Sequence, residues 1–148
     1  MTNTTDRSDP ALVARIEERT RSNNFWRMLG LEVLGAGEGW VRLRLPLRDD
    51  LLNAVGAPLH GGAIAALVDA AVGGALATMH EAAAGGTGQA TLDANVSYIG
   101  AVREGAAIAE GRILRRGGTV AFGEAEIRDE SGALAAKGRV TYMILRPR

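Results

Sequence analysis

Strict alternation of apolar and polar residues marks the strands of this chain. Residues 41–45 alternate without exception, and residues 31–34 precede them across a glycine-rich turn at 35–39. Alternation of this kind is typical of a half-buried β-strand. Four further strands are expected later in the chain, over residues 91–99, 107–115, 120–128 and 133–145. Gly117-Gly118 and the segment 129–132 are turn sequences, so the last three strands should pair antiparallel.

Helical patterns fill the remaining segments. Asp9 followed by Pro10 predicts a helix start, with an N-cap and a proline at the first helical position, and the pattern runs to about Arg21. Residues 25–29 form another apolar turn or two. Residues 61–80 are almost wholly apolar and predict one long helix, after an irregular connection at 46–59 and before a small-residue loop at 81–88.

This order of elements predicts an α+β fold, an antiparallel β-sheet wrapped round one long central helix. Residues 1–8 are expected to be disordered, and residues 9–148 to form a single domain. One sheet covers a helix on one side only. We therefore expect a second copy of the chain to cover the remaining apolar surface, which makes a dimer the smallest assembly.

Composition excludes several functions. The 148 residues carry 17 acidic and 17 basic side chains, and a chain of zero net charge is not a typical nucleic-acid binder. The absence of cysteine excludes disulfides, thiolate metal sites and a cysteine nucleophile, and two histidines cannot build a multi-histidine metal site. The first residues are polar and unlike a signal peptide, which favours the cytoplasm.

The apolar run at 61–79 is long enough to raise the question of a membrane span. It holds four glycines and, near its centre, Asp69. An aspartate at mid-bilayer costs about 2.5–3.5 kcal/mol on insertion scales, and alanine and glycine offset little of it. A helix buried in protein is the better interpretation, and no membrane partner is expected.

Asp69 is the unusual residue of that helix. A bare carboxylate in a dry core costs several kcal/mol unless it is paired, hydrogen-bonded or neutralised. We interpret Asp69 as part of a reaction site. The alternative is a buried structural pair, with an arginine or with serine and threonine hydroxyls. Thr91, on the next strand, is a candidate to hydrogen-bond Asp69 or a water.

His60-Gly61-Gly62 opens the helix and forms the second candidate feature. Free N–H groups and the helix dipole at such an end suit a carbonyl oxygen that becomes an oxyanion, whereas the plainer interpretation is tight packing. Asp69 lies nine residues beyond His60, roughly 13 Å along the axis. It cannot easily attack a carbonyl held at its own helix start, so the site would combine two subunits. Asn53 is a neutral donor for a carbonyl.

The remaining histidine and the basic residues of the later strands are expected to have structural roles. His80 is expected to cap the end of the long helix, where a cation suits the dipole. A solvated strand face is the expected setting of the later basic residues, which are Arg112, Arg115, Arg116, Lys137 and Arg139.

The ordered pattern N-x-x-G-x-P-L-H-G-G-x(6)-D resembles the hotdog-fold acyl-CoA thioesterases, in particular their phenylacetate-pathway (PaaI-like) branch. The similarity extends from about Leu31 to Leu145 and includes the strand T-L-D-A-N-V-S-Y-I. Two departures are visible. The stretch from Asn53 to His60 is one residue longer than the commonest family pattern, and the loop at 84–88 is also longer.

The resemblance implies hydrolysis of an acyl-CoA without a cofactor. Asp69 would be the general base or the nucleophile, and the Gly61 N–H would bind the thioester carbonyl. Asn53 would orient the carbonyl or the water, His60 would support the loop, and Thr91 would position the water. Family sites lie between subunits, Asp69 and Thr91 coming from one chain and the other three residues from its partner. A homotetramer is expected.

The acyl group is expected to enter an apolar pocket formed by the central helix together with Phe25, Trp26 and Met28. Two other functions on the same fold remain alternatives. One is a non-catalytic acyl-CoA sensor, which should lack a carboxylate on the helix. The other is a hydratase.

Overall fold

The computed structural model describes residues 7–81 and 88–147. Its helices and strands follow the predicted order, and their bounds are α1 Pro10–Ser22, α2 Asn24–Leu29, β1 Glu32–Gly37, β2 Trp40–Pro46, α3 Gly61–Ala77, β3 Gly88–Tyr98, β4 Ala106–Arg116, β5 Val120–Asp129 and β6 Leu134–Leu145. Part of the predicted tail, residues 1–6, and part of the predicted loop, residues 82–87, lie outside the described residues.

The six strands form one antiparallel sheet in the order β1-β2-β4-β5-β6-β3, and α3 packs against it. The predicted α+β architecture, a sheet wrapped round one long helix, is therefore confirmed. β3 follows α3 in the chain but pairs with β6, so the first strand after the helix forms one edge of the sheet. None of the helices in the described part of the chain is long and apolar enough to cross a membrane.

Side chains from neighbouring segments fix the helix ends. The Asp9 carboxylate accepts a hydrogen bond from the Ala11 N–H, which confirms the predicted start of α1. The Arg15 guanidinium reaches from α1 to the far end of α3, where it donates to the carbonyl oxygens of Ala77, Thr78 and His80. A cation at that end suits the helix dipole. The sequence assigned this capping role to His80, and the structure gives it to Arg15.

Several predicted boundaries were wrong, and β3, for example, begins at Gly88 rather than at residue 91. α3 ends at Ala77 rather than at residue 80, and the Thr78 hydroxyl there bonds the Ala75 carbonyl and accepts from the Gly39 N–H. β1 continues to Gly37, so the β1–β2 turn consists of two residues instead of the predicted five. Gly39 takes a φ of 76°, a conformation that glycine adopts without strain.

Glycines on three neighbouring strands let α3 lie close to the sheet. We call them the glycine trough, and they are Gly111 on β4, Gly123 on β5 and Gly138 on β6. A Cβ at Gly123 would lie 2.5 Å from Val72 Cγ1, and one at Gly138 would lie 2.6 Å from Val68 Cγ1. A Cβ at Gly111 would overlap the Ala71 carbonyl oxygen. Larger residues at these positions would force the helix away from the sheet.

Part of α3 remains uncovered in the single chain. The open face, as we call it, consists of the helix positions that are not buried: Gly61, Gly62, Ala65, Ala66 and Asp69. β3 is also largely exposed, and its Leu92 and Tyr98 are more than half accessible to solvent. The alternation of residues 91–99 had predicted a half-buried strand. That prediction fails for the single chain, in which residues 90–95 are all exposed.

The glycine trough gives a prediction about stability. Gly111→Ala should lower the free energy of unfolding by about 1–3 kcal/mol, since the new methyl group meets a backbone oxygen that cannot move without moving the helix. Urea unfolding at a fixed protein concentration measures the change. Gly118→Ala is the matched control, because its Cβ would meet only Arg146 at 3.9 Å, and it should stay within about 0.5 kcal/mol. Equal losses in the two variants would contradict the account.

Candidate active site

Two hydroxyl groups hold the carboxylate of Asp69. Its Oδ1 accepts from Thr91 Oγ1 at 2.8 Å and from Tyr142 Oη at 2.7 Å. The contact with Thr91 was predicted, and the structure confirms it. Asp69 belongs to the open face and is only partly buried. Hydrogen bonds from neutral donors stabilise the charge while the carboxylate stays reachable.

A β-bulge directs Thr91 toward Asp69. Thr91 pairs directly with Tyr142 across β3 and β6, and Leu92 is the extra residue before Asp93 pairs with Thr141. Without the bulge, strict alternation would place Thr91 and Tyr98 on opposite faces of the sheet. With it, both bond to α3, Thr91 through Asp69 and Tyr98 through the Gly61 carbonyl oxygen.

Tyr142 is a site residue that the sequence analysis missed. It lies on the inner face of β6 and is 5% exposed, so its hydroxyl needs a partner inside the protein. Burial and the negative charge of Asp69 raise the pKa of Tyr142 above the ordinary tyrosine value. The hydroxyl therefore stays protonated at neutral pH and can donate to the carboxylate. The alternation of β6 placed this residue among apolar neighbours and gave no signal of its polar contact.

Arg19 of α1 adds positive charge near this cluster. Its guanidinium stacks over Trp26 at 5.1 Å from the ring centroid. Burial lowers the pKa of Arg19, and the nearby Tyr142 and Asp69 act in the opposite direction. The Arg19 charge offsets part of the cost of the Asp69 charge, although the two side chains form no direct ion pair.

The start of α3 has one N–H that is tied and one that is open. His60 is the N-cap, and its Nδ1 accepts from the Gly62 N–H at 2.7 Å. The His60 N–H donates to the Leu51 carbonyl, which fastens the loop before the helix. Within the described residues, no group accepts a hydrogen bond from the Gly61 N–H. That donor, strengthened by the helix dipole, is available to a carbonyl oxygen.

Asn53 and Gly61 line the same open cavity of about 480 Å³. Tyr98 forms another wall, and its hydroxyl donates to the Gly61 carbonyl at 3.2 Å. The Tyr98 ring lies against Gly61, where a Cβ would meet it at 3.3 Å. Like Tyr142, Tyr98 is a residue of the candidate site that the sequence analysis missed. An exposed amide side chain and a free N–H on one cavity are suited to binding a polarised carbonyl.

The five predicted site residues fall into two groups in the single chain. Thr91 contacts Asp69, whereas Asn53, His60 and Gly61 gather at the helix start. Gly61 and Asp69 are eight positions apart on the helix, which is about 12 Å along the axis. Across the described residues, no hydrogen bond joins the two groups. The separation agrees with the distance argument made from the sequence.

The three residues of α2 that were expected to form the acyl pocket differ in their exposure. Trp26 is 6% exposed and belongs to the core, so it is not free to contact a ligand. Phe25 and Met28 are half exposed on the other side of α2. Of the strand cations, Arg112 pairs with Glu124 and Lys137 with Glu126, in line with a solvated charged face.

Comparison with known proteins finds one matching family. A family model described as the thioesterase superfamily matches residues 58–136, which include the helix start, Asp69 and Thr91. A Halobacterium salinarum protein, named only as a candidate esterase, is 32% identical over 141 residues. The matched region covers 90% of this chain and 92% of that protein.

Solved structures with the same fold include several thioesterases. A Haemophilus influenzae thioesterase is 25% identical with a TM-score of 0.80, and the match covers 90% of each chain. The PaaI protein of the Escherichia coli phenylacetic acid degradation operon has a TM-score of 0.79 at 16% identity, covering 90% of this chain and 93% of that one. A hypothetical thioesterase from Streptococcus pneumoniae, solved with coenzyme A, has a TM-score of 0.70 at 21% identity, covering 80% and 88%. The last two show a common fold alone.

The contact between Tyr142 and Asp69 gives a prediction about titration. The phenolate absorbance of Tyr142, taken as the difference between wild type and Tyr142→Phe, should appear well above the ordinary pH of about 10. Asp69→Asn should bring this titration to lower pH, because a neutral amide no longer opposes the phenolate charge, and burial should keep it from returning fully to 10. An unchanged titration in Asp69→Asn would show that the carboxylate does not act on the hydroxyl.

Proposed function

This chain belongs to the thioesterase superfamily, and we propose that it hydrolyses an acyl-CoA thioester to a free acid and CoA. The resemblance found in the sequence, to hotdog-fold thioesterases, is confirmed. Thioester hydrolysis is the general activity that the matched family supports. The observation that carries the proposal is a reachable carboxylate, Asp69, held through one oxygen on a helix whose first N–H, that of Gly61, is open.

Each group has a part in the proposed mechanism. The Gly61 N–H binds the thioester carbonyl oxygen and stabilises the negative charge that develops on it. Asp69 takes a proton from water as the water oxygen attacks the carbonyl carbon. When the tetrahedral intermediate collapses, the C–S bond breaks, and the CoA sulfur leaves as a thiol with the proton that Asp69 had taken from water, which restores the carboxylate. Asn53 orients the carbonyl, His60 holds the loop, and Thr91 positions Asp69 and the water. The proposal involves no cofactor.

We place this site between two subunits. Asp69 and Thr91 would come from one chain, and Asn53, His60 and Gly61 from its partner. Support comes from the 12 Å helix separation and from the open face, which only small residues and Asp69 form and which a second α3 can approach closely. A homodimer is the minimum assembly, and a homotetramer remains our expectation. The cytoplasmic location expected from the sequence belongs to the same proposal.

Acyl-CoA is the proposed substrate class. The similar Streptococcus pneumoniae protein was solved with coenzyme A, and that ligand is consistent with a CoA thioester here. Phe25 and Met28 are exposed apolar side chains that can contact the acyl group, whereas Trp26 serves the core. A non-catalytic acyl-CoA sensor would not need the carboxylate of Asp69.

The first test replaces the proposed base. Asp69→Asn should lower kcat for acyl-CoA hydrolysis by about 10²–10⁴-fold, because the amide cannot take a proton from water. A panel of short, medium, long and aryl acyl-CoAs, followed with a thiol reagent, measures the rate, and this cysteine-free protein adds no background. Retained turnover in a folded Asp69→Asn protein would refute the assignment. Tight binding without turnover in wild type would favour the sensor.

The second test asks whether two chains share the site. Asp69→Ala and Asn53→Ala proteins should each be inactive, and a dimer of the two variants has one intact site. Random reassortment of subunits should restore about a quarter of wild-type activity, because half of the dimers are mixed and each has one working site. A mixed dimer that is confirmed by mass and has no activity would refute the shared site.

A further inference from the structure

We propose that Tyr142 is a positioning residue for hydrolysis: its hydroxyl, together with that of Thr91, fixes Oδ1 of Asp69 and leaves Oδ2 to face the water. The inference rests on the proposed function. Both hydroxyl contacts of the carboxylate go to the same oxygen, at 2.7 Å and 2.8 Å. Across the described residues, Oδ2 has no hydrogen-bond partner.

Two contacts restrict the rotation of the Asp69 side chain. The Tyr142 hydroxyl lies 2.7 Å from Oδ1 and 2.9 Å from the carbonyl oxygen of the same residue, so it bridges the side chain and the backbone of Asp69. Thr91, opposite Tyr142 in the strand register, approaches from the neighbouring strand. A carboxylate held from two strands keeps one orientation, and a general base works only when its free oxygen is within hydrogen-bond reach of the water.

Gly73, one helical turn beyond Asp69, leaves room for the Tyr142 hydroxyl. A Cβ at position 73 would be 2.6 Å from Tyr142 Oη. The amide of Gln89 completes the surroundings, because it donates to the Gly73 carbonyl at 2.8 Å and its oxygen lies 2.9 Å from His80 Nε2. A tyrosine on β6, a glycine on α3 and a glutamine on β3 thus meet at one point.

Glycine at position 73 is costly to the helix, because alanine stabilises a helix interior more than glycine does when space allows. Glycine at position 73 therefore lowers the stability of the helix and in return makes space for the Tyr142 hydroxyl. Gly74, the next residue, faces Trp26 and Val41 instead, where a Cβ would meet apolar atoms at 3.2 Å and 3.3 Å. The two neighbouring glycines form a matched pair, one beside the hydroxyl and one beside the core.

The test compares two perturbing variants with two controls. Tyr142→Phe removes the hydroxyl and keeps the ring, and Gly73→Ala displaces the hydroxyl. Each should lower kcat for acyl-CoA hydrolysis by about 10–100-fold, with KM changed less than about threefold, because positioning and not substrate binding is lost. The controls are Val140→Ala, a buried truncation two residues before Tyr142 on the same face of β6, and Gly74→Ala. Both should lower thermal stability and keep kcat.

Two results would overturn the proposal. One is a Tyr142→Phe protein that keeps its kcat within about twofold of wild type. The other is a loss of kcat in all four variants in proportion to their loss of stability, which would mean that Tyr142 acts only through general packing. Asp69→Asn is assayed alongside, so that failure of this inference can be told apart from failure of the proposed function. If Asp69→Asn keeps its activity, Asp69 is not the base. If Asp69→Asn is inactive while Tyr142→Phe stays active, Asp69 remains the base and Tyr142 has no positioning role.

Discussion

The need to hydrogen-bond one carboxylate shapes the centre of this molecule. Asp69 lies on a helix whose other side chains are apolar, and such a charge is stable only when donors reach it. An aspartate side chain is short, so those donors must come from strands that lie close to the helix. The glycine trough permits that closeness. Two neighbouring strands then supply one hydroxyl each, from Thr91 and Tyr142.

Both ends of α3 are fixed by groups outside the helix. At the start, His60 accepts a hydrogen bond from the second N–H of the helix, and at the far end Arg15 donates to the carbonyl oxygens of Ala77, Thr78 and His80. Most of the helix between these ends is buried against the sheet. The exception is the open face, where the Gly61 N–H and Asp69 Oδ2 have no hydrogen-bond partner among residues 7–81 and 88–147. Both groups lie on the side of the helix that the sheet does not cover.

The periodicity of apolar residues and the turn sequences were enough to predict the helices and strands, because each strand pattern is local and the apolar run of α3 is long. They were not enough to predict which side chains face each other in the folded chain. The alternation of residues 91–99 set Thr91 opposite Tyr98, and only the bulge at Leu92, a property of the pairing with β6, brings both to α3. A tyrosine amid apolar residues looks like core, so Tyr142 was missed. Arg15, distant in sequence from the helix end it caps, depends on tertiary packing that no local pattern encodes.

The glycine trough also bears on how this chain can diversify. A side chain at Gly111, Gly123 or Gly138 would overlap atoms of α3, so larger residues are not tolerated between the helix and the sheet. Changes of substrate preference in descendants of this protein must then arise at its periphery. The exposed Phe25 and Met28 of α2 can change without moving α3. The fixed spacing between helix and sheet thus keeps the Asp69 carboxylate in place while residues at the periphery change.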